Sequence, residues 1–146
     1  MSKFKSAAVL ALCVVLTPAF AQSLGEKQRR ADIEKSLNRK MESVTMACGP
    51  MKFQFDWSTF QDVKDMEINF CMHNGLNTVE NICLRTKAGK EAVQSKIKTI
   101  TCKVSVPRTF SLKNGEFVYG FDPANADGGN WSYDQKPLEK FLMDNL

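Results

Sequence analysis

Residues 97–121, IKTITCKVSVPRTFSLKNGEFVYGF, are the stretch whose reading decides the fold. Ile100, Cys102, Val104 and Val106 alternate with Thr99, Thr101, Lys103 and Ser105, the period of two that marks a half-buried strand. Cys102 is therefore predicted to point into the core. Asn114-Gly115 then supplies two residues that tolerate the positive φ angles of a type I′ hairpin turn. Around that turn Lys113 faces Glu116, Leu112 faces Phe117 and Phe110 faces Tyr119. Charge meets charge and apolar meets apolar, the consistency expected of a correct register.

Upstream, Met51, Phe53 and Phe55 alternate with Lys52, Gln54 and Asp56, a second strand pattern. Ser58 with Gln61 three residues later matches a capping box and predicts a helix starting at once. Met72, Leu76, Val79 and Cys83 then form a helical stripe, with Asn74-Gly75 a candidate break within it. A short helix is expected over 88–96. In residues 22–47, Ile33, Leu37, Met41 and Val44 make one apolar stripe on a charged helix, and Gly49 and Pro50 stop it. That amphipathic helix is expected to lie against the domain, the alternative being a free arm for dimerisation or partner binding. At the other end Pro137 suits a first helical position, with Leu138, Phe141 and Leu142 on the inner face of a terminal helix. The whole reads as an α+β fold, a small antiparallel sheet of about four strands packed by helices on one face.

Residues 1–21 read as a cleavable export signal. Lys3 and Lys5 precede the apolar run from Ala7 to Leu16, and Ala19-Phe20-Ala21 provides the small residues of a cleavage site. The run is shorter than the roughly 20 residues that span a bilayer, so no stable membrane span is expected after cleavage. Cys13 follows Leu12 within the apolar run, which disfavours lipidation there. Removal of the signal leaves residues 22–146 as one domain with 18 basic and 16 acidic residues, a net charge of +2. The expected location is periplasmic or extracellular.

Export makes disulfides the natural state of Cys48, Cys71, Cys83 and Cys102. Their spacing contains no Cys-x-x-Cys of the kind that opens a zinc or redox site. On one straight helix Cys71 and Cys83 would stand about 18 Å apart, beyond disulfide reach. Pairing Cys48 with Cys71 and Cys83 with Cys102 is preferred, and the crossed set, Cys48 with Cys83 and Cys71 with Cys102, comes next.

No motif points to a cofactor or metal. Asn125, Asp127, Gly128 and Asp134 fall at EF-hand offsets, but Pro123 occupies the first position, where a carboxylate is required. His73 is the single histidine, which excludes any mechanism needing two imidazoles. Residues 84–113 carry eight basic groups against Glu91, with Lys96, Lys98 and Lys103 the candidate binding residues and Trp131 and Tyr133 a candidate aromatic rim. No aromatic interleaves with these lysines before Phe110, which disfavours nucleic acid. The reading is therefore a non-enzymatic binding or inhibitory module for a partner protein or an anionic envelope component. Its alternative is a carboxylate-dependent hydrolase drawing on Asp56, Asp62 and Asp65. For the export reading the expected outcome is direct: N-terminal sequencing of the processed protein begins Gln22-Ser23-Leu24.

Overall fold

The computed structural model describes residues 24–125 and 135–146. The signal segment and Trp131 and Tyr133 lie outside the described residues. Helix α1, Leu24–Cys48, leads into strand β1, Lys52–Phe55, and a single 3-10 turn, Trp57–Thr59. Helices α2, Asp65–Arg85, and α3, Lys87–Lys96, follow. Strands β2, Thr99–Val104, β3, Thr109–Lys113, and β4, Glu116–Phe121, precede a second 3-10 turn, Pro123–Asn125, and helix α4, Gln135–Asn145.

The class is α+β, as the periodicities indicate. The hairpin also forms in the expected register, with Lys113 opposite Glu116, Leu112 opposite Phe117 and Phe110 opposite Tyr119. Asn114 and Gly115 take φ of 52° and 81°, the two positive values that a type I′ turn requires. The sheet as a whole is mixed, a correction to the antiparallel expectation. Its order is β1-β2-β4-β3, with β1–β2 and β2–β4 parallel and only the hairpin antiparallel. Two physical reasons account for this. Helices α2 and α3 carry the chain back between β1 and β2, the long crossover that parallel neighbours need. Residues 105–108 then step across the end of β4's position, so β4 inserts between β2 and β3.

That step also explains Val106. Alternation would bury it, but β2 ends at Val104, the chain turns, and Val106 is 72% exposed. The crossing lies directly over Gly120, where an added Cβ would sit 2.8 Å from Ser105 Cβ and 2.9 Å from the Thr109 carbonyl oxygen. Only hydrogen fits between β4 and the crossing chain.

Helix α2 runs unbroken through Asn74-Gly75, which replaces the expected kink. Gly75 lets the helix approach β4: a Cβ there would touch Tyr119 Cδ1 at 3.6 Å. Asn74 shares a side-chain hydrogen bond with Tyr119, whose phenol is pushed up to about 12 by burial. Met72, Leu76 and Val79 pack with Ile100, Cys102, Phe117, Phe121, Leu138 and Leu142 in one buried core. Helix α1 lies against this layer rather than standing free, burying Ile33, Leu37 and Val44. The Ser58–Gln61 pattern does not start a helix. Asp56 accepts from the Ser58 hydroxyl at 2.5 Å, the Thr59 hydroxyl donates to the Asp56 carbonyl at 2.8 Å, and Phe60 is buried beside Trp57 and Phe55. The helix begins at Asp65, where Glu67 accepts the Lys64 N–H at 3.1 Å. Pro137 stands third in α4 instead of first, still among the N–H positions without an intrahelical partner.

The disulfides are Cys48–Cys83 and Cys71–Cys102, with Cα separations of 5.4 and 6.1 Å, correcting the preferred pairing to its crossed alternative. Arg29 meets Asp65, Ser36 meets Asn69, and Lys40 meets Glu80, so α1 and α2 run parallel. The end of α1 therefore reaches Cys83 at the end of α2, leaving Cys71 near its start for Cys102.

Gly120→Ala is expected to destabilise the fold by about 1–3 kcal/mol through overpacking. Gly75→Ala, with ordinary contact distance and a helical backbone, is expected to be neutral or stabilising. Urea unfolding of the two variants, with midpoints compared at unchanged slope, checks the contrast.

Candidate binding surface

Helices cover one face of the sheet and alternation assigns the opposite face its side chains. Those are Lys52 and Gln54 of β1, Thr99, Thr101 and Lys103 of β2, Val118 and Glu116 of β4, and Thr109, Ser111 and Lys113 of β3. The register orders them into rows. Lys52, Thr99, Glu116 and Lys113 form one row, and Gln54, Thr101, Val118 and Ser111 form the next. The Thr101 hydroxyl donates to Glu116 Oε1 at 2.5 Å, which ties the two rows together. Lys52 and Lys113 stand at opposite edges, roughly 14 Å apart at the standard strand spacing. The result is a surface of hydroxyl and ammonium donors around the nearly buried Thr101.

Of the three lysines singled out by charge density, the structure places only Lys103 on this face. Lys96 Nζ donates to the Asn145 carbonyl at 2.9 Å, tying the end of α3 to the end of α4. Lys98 Nζ donates to the Gln94 carbonyl and closes the last turn of α3. Lys52 and Lys113 are the residues that sequence reasoning passed over. Their signal was present in the strand alternation, which sets each on the face opposite Phe53 and Leu112.

Two of the three carboxylates named for a hydrolase bond elsewhere. Asp65 Oδ1 accepts from Arg29 Nε at 2.5 Å, Asp56 accepts from Ser58, and Asp62 is exposed. Cys71 is held in a disulfide and offers His73 no thiol. Among the described residues, no group of three or more His, Cys, Asp and Glu gathers in a metal-holding arrangement, and no helix is long and apolar enough to cross a membrane.

The seam between α1 and α2 holds two groups shifted from their ordinary values, Glu80 and His73. Burial acts to raise the Glu80 carboxyl, but hydrogen bonds from Lys40 and Ser43 outweigh it and hold the pKa below the usual carboxylate value. His73 alongside is pushed below 6.5, first by burial and then by the Lys40 charge, with Glu80 opposing. Ser36, Leu37, Asn69, Phe70 and His73 line a shallow groove of about 310 Å³ here. A second, apolar cleft of about 280 Å³ lies where Ile82, Ala88, Gly89, Ala92, Met143 and Leu146 meet, with the Arg85–Glu139 ion pair at its edge. Both fall near or below the lower size of a small-molecule pocket.

Compared with known proteins, the chain matches no family model, no curated protein and no solved structure.

Glu80 is 8% exposed, so removing its ammonium partner leaves a nearly buried carboxylate short of a donor. Lys40→Met is expected to lose about 1–3 kcal/mol at neutral pH. Because the folded pKa of Glu80 lies below its unfolded value, its stabilisation is present above the unfolded value and disappears as pH falls through the folded one. The gap between Lys40→Met and the native chain should therefore narrow in acid, as urea midpoints measured across the acid range would show.

Proposed function

We propose that this chain is a small exported, disulfide-stabilised binding module that performs no chemistry and engages an anionic envelope component or an acidic partner protein through the open face of its sheet. The observation that carries this reading is the asymmetry of the sheet. Its inner face is committed to the helices, whereas the outer face presents Lys52, Lys103 and Lys113 beside the hydroxyls of Thr99, Thr109 and Ser111. Ammonium groups and hydroxyls on one strand surface supply several donors to a polyanion at once, and the attraction should weaken with salt. The two disulfides support the export half of the reading, since such bonds persist in oxidising compartments.

The test is retention of an envelope component by the mature protein with its disulfides intact. Replacing Lys52, Lys103 and Lys113 together by Gln is expected to reduce retention at least about tenfold at low salt. Replacing Lys96 and Lys98, whose ammonium groups close helix ends, should leave it nearly unchanged. Equal retention by both variants would remove the open face from consideration.

A further inference from the structure

Among the described residues, strand β1 is an edge whose one sheet neighbour is β2. Lys52 N donates to the Lys98 carbonyl and Asp56 N to the Cys102 carbonyl, each at 2.9 Å. In a parallel ladder every second residue turns both its backbone groups to the same neighbour. Lys52, Gln54 and Asp56 thus face β2, and the N–H and C=O of Phe53 and Phe55 face outward. Lys52 and Gln54 are exposed, and no described strand pairs with the outward groups of Phe53 and Phe55.

We propose that two copies of this chain pair through this edge, β1 against β1, antiparallel, with the two-fold axis at Gln54. The sequence of the edge is complementary to itself in that register. Phe53 stands opposite Phe55 of the second copy, and their outward backbone groups exchange both bonds of a hydrogen-bonded pair. On the open face Lys52 stands opposite Asp56 of the second copy, an ammonium against a carboxylate, and symmetry repeats the pair on the other side of the axis. Moving the axis to Phe53 sets Lys52 against Gln54, and moving it to Phe55 sets Asp56 against Gln54. Either shift keeps the backbone bonds and loses both charge pairs.

The helix side of the same edge gains cover. An open groove of about 470 Å³ runs there along Asn38, Met41, Glu42, Thr45, Met46 and Phe53, with Met46 78% exposed. Pairing joins the two sheets into one of eight strands and covers the β1 edge beside this groove. Lys52 belongs both to the open face and to this interface, and self-association of the chain with no ligand present reads the interface alone.

Sedimentation equilibrium of the mature chain, disulfides intact, over micromolar to millimolar concentrations tests the proposal. The native chain is expected to dimerise. Lys52→Glu and Asp56→Lys should each weaken association about tenfold or more, because each sets like charges opposite one another twice. Combining them restores the complementarity and should restore the dimer. Gln54→Cys should form a disulfide-linked dimer under mild oxidation, since residues facing each other on the axis have Cα atoms about 4.5 Å apart. Lys52→Cys, displaced by four residues from its own copy, should not. Thermal unfolding reports whether each variant folds; if Asp56→Lys fails through loss of the Ser58 contact, Lys52→Glu and Gln54→Cys decide alone. A chain that stays monomeric into the millimolar range, or a dimer that Lys52→Glu leaves unchanged, overturns the proposal.

Discussion

Both disulfides end on the same helix. Cys71 near the start of α2 is bonded to Cys102 in β2, and Cys83 near its end is bonded to Cys48 at the close of α1. The bonds therefore lock α2 to the layer above it at one end and to its neighbour in the helix layer at the other. Each closes a loop of more than 30 residues, for which the stabilisation is about 2–4 kcal/mol. That is a large share of the net stability of a domain this size. The remaining core packs against a helix whose position is already set at two points, about three turns apart.

The placement of α2 propagates through the chain. With α1 parallel to α2, the strand between them must run back the other way, and the crossover through α2 and α3 then returns β2 parallel to β1. The same arrangement brings Lys40 and Ser43 onto Glu80, a carboxylate whose pKa burial alone would raise. It also places Gly75 and Asn74 against Tyr119, so a dipeptide that commonly interrupts helices instead sets the distance and the polar contact between helix and sheet. At the far end of β4, Gly120 does the corresponding work for the chain crossing from β2 to β3.

Because the described helices share one face of the sheet, the opposite face and the β1 edge remain as surfaces. The two differ in chemistry. The face offers hydroxyls and ammonium groups in rows, whereas the edge offers backbone groups flanked by one charge of each sign. Charge density along the chain was a poor guide to either, since Lys96 and Lys98 are near in sequence to Lys103 but are turned to helix ends. Lys52 and Lys113, 61 positions apart in the chain, share a row because β2 and β4 lie between their strands.

Local rules sufficed wherever the partners were local. The hairpin about Asn114-Gly115, its register from Phe110–Tyr119 to Lys113–Glu116, the stripe of α1 and the inward face of Cys102 all follow from side-chain period and turn geometry over a few residues. Ser58–Gln61 failed as a helix start because Phe60 and Trp57 are drawn to the end of a core built from residues far away. Val106 failed as a core residue because its strand had to leave the sheet to make room for β4. The sequence by itself thus determined the class of the fold, most of its elements and the inward face of the residues that stay within each strand. Strand order, the partner of each cysteine and the company of each lysine were decided only in the tertiary structure, because each depends on the relative direction of elements that meet across long stretches of chain.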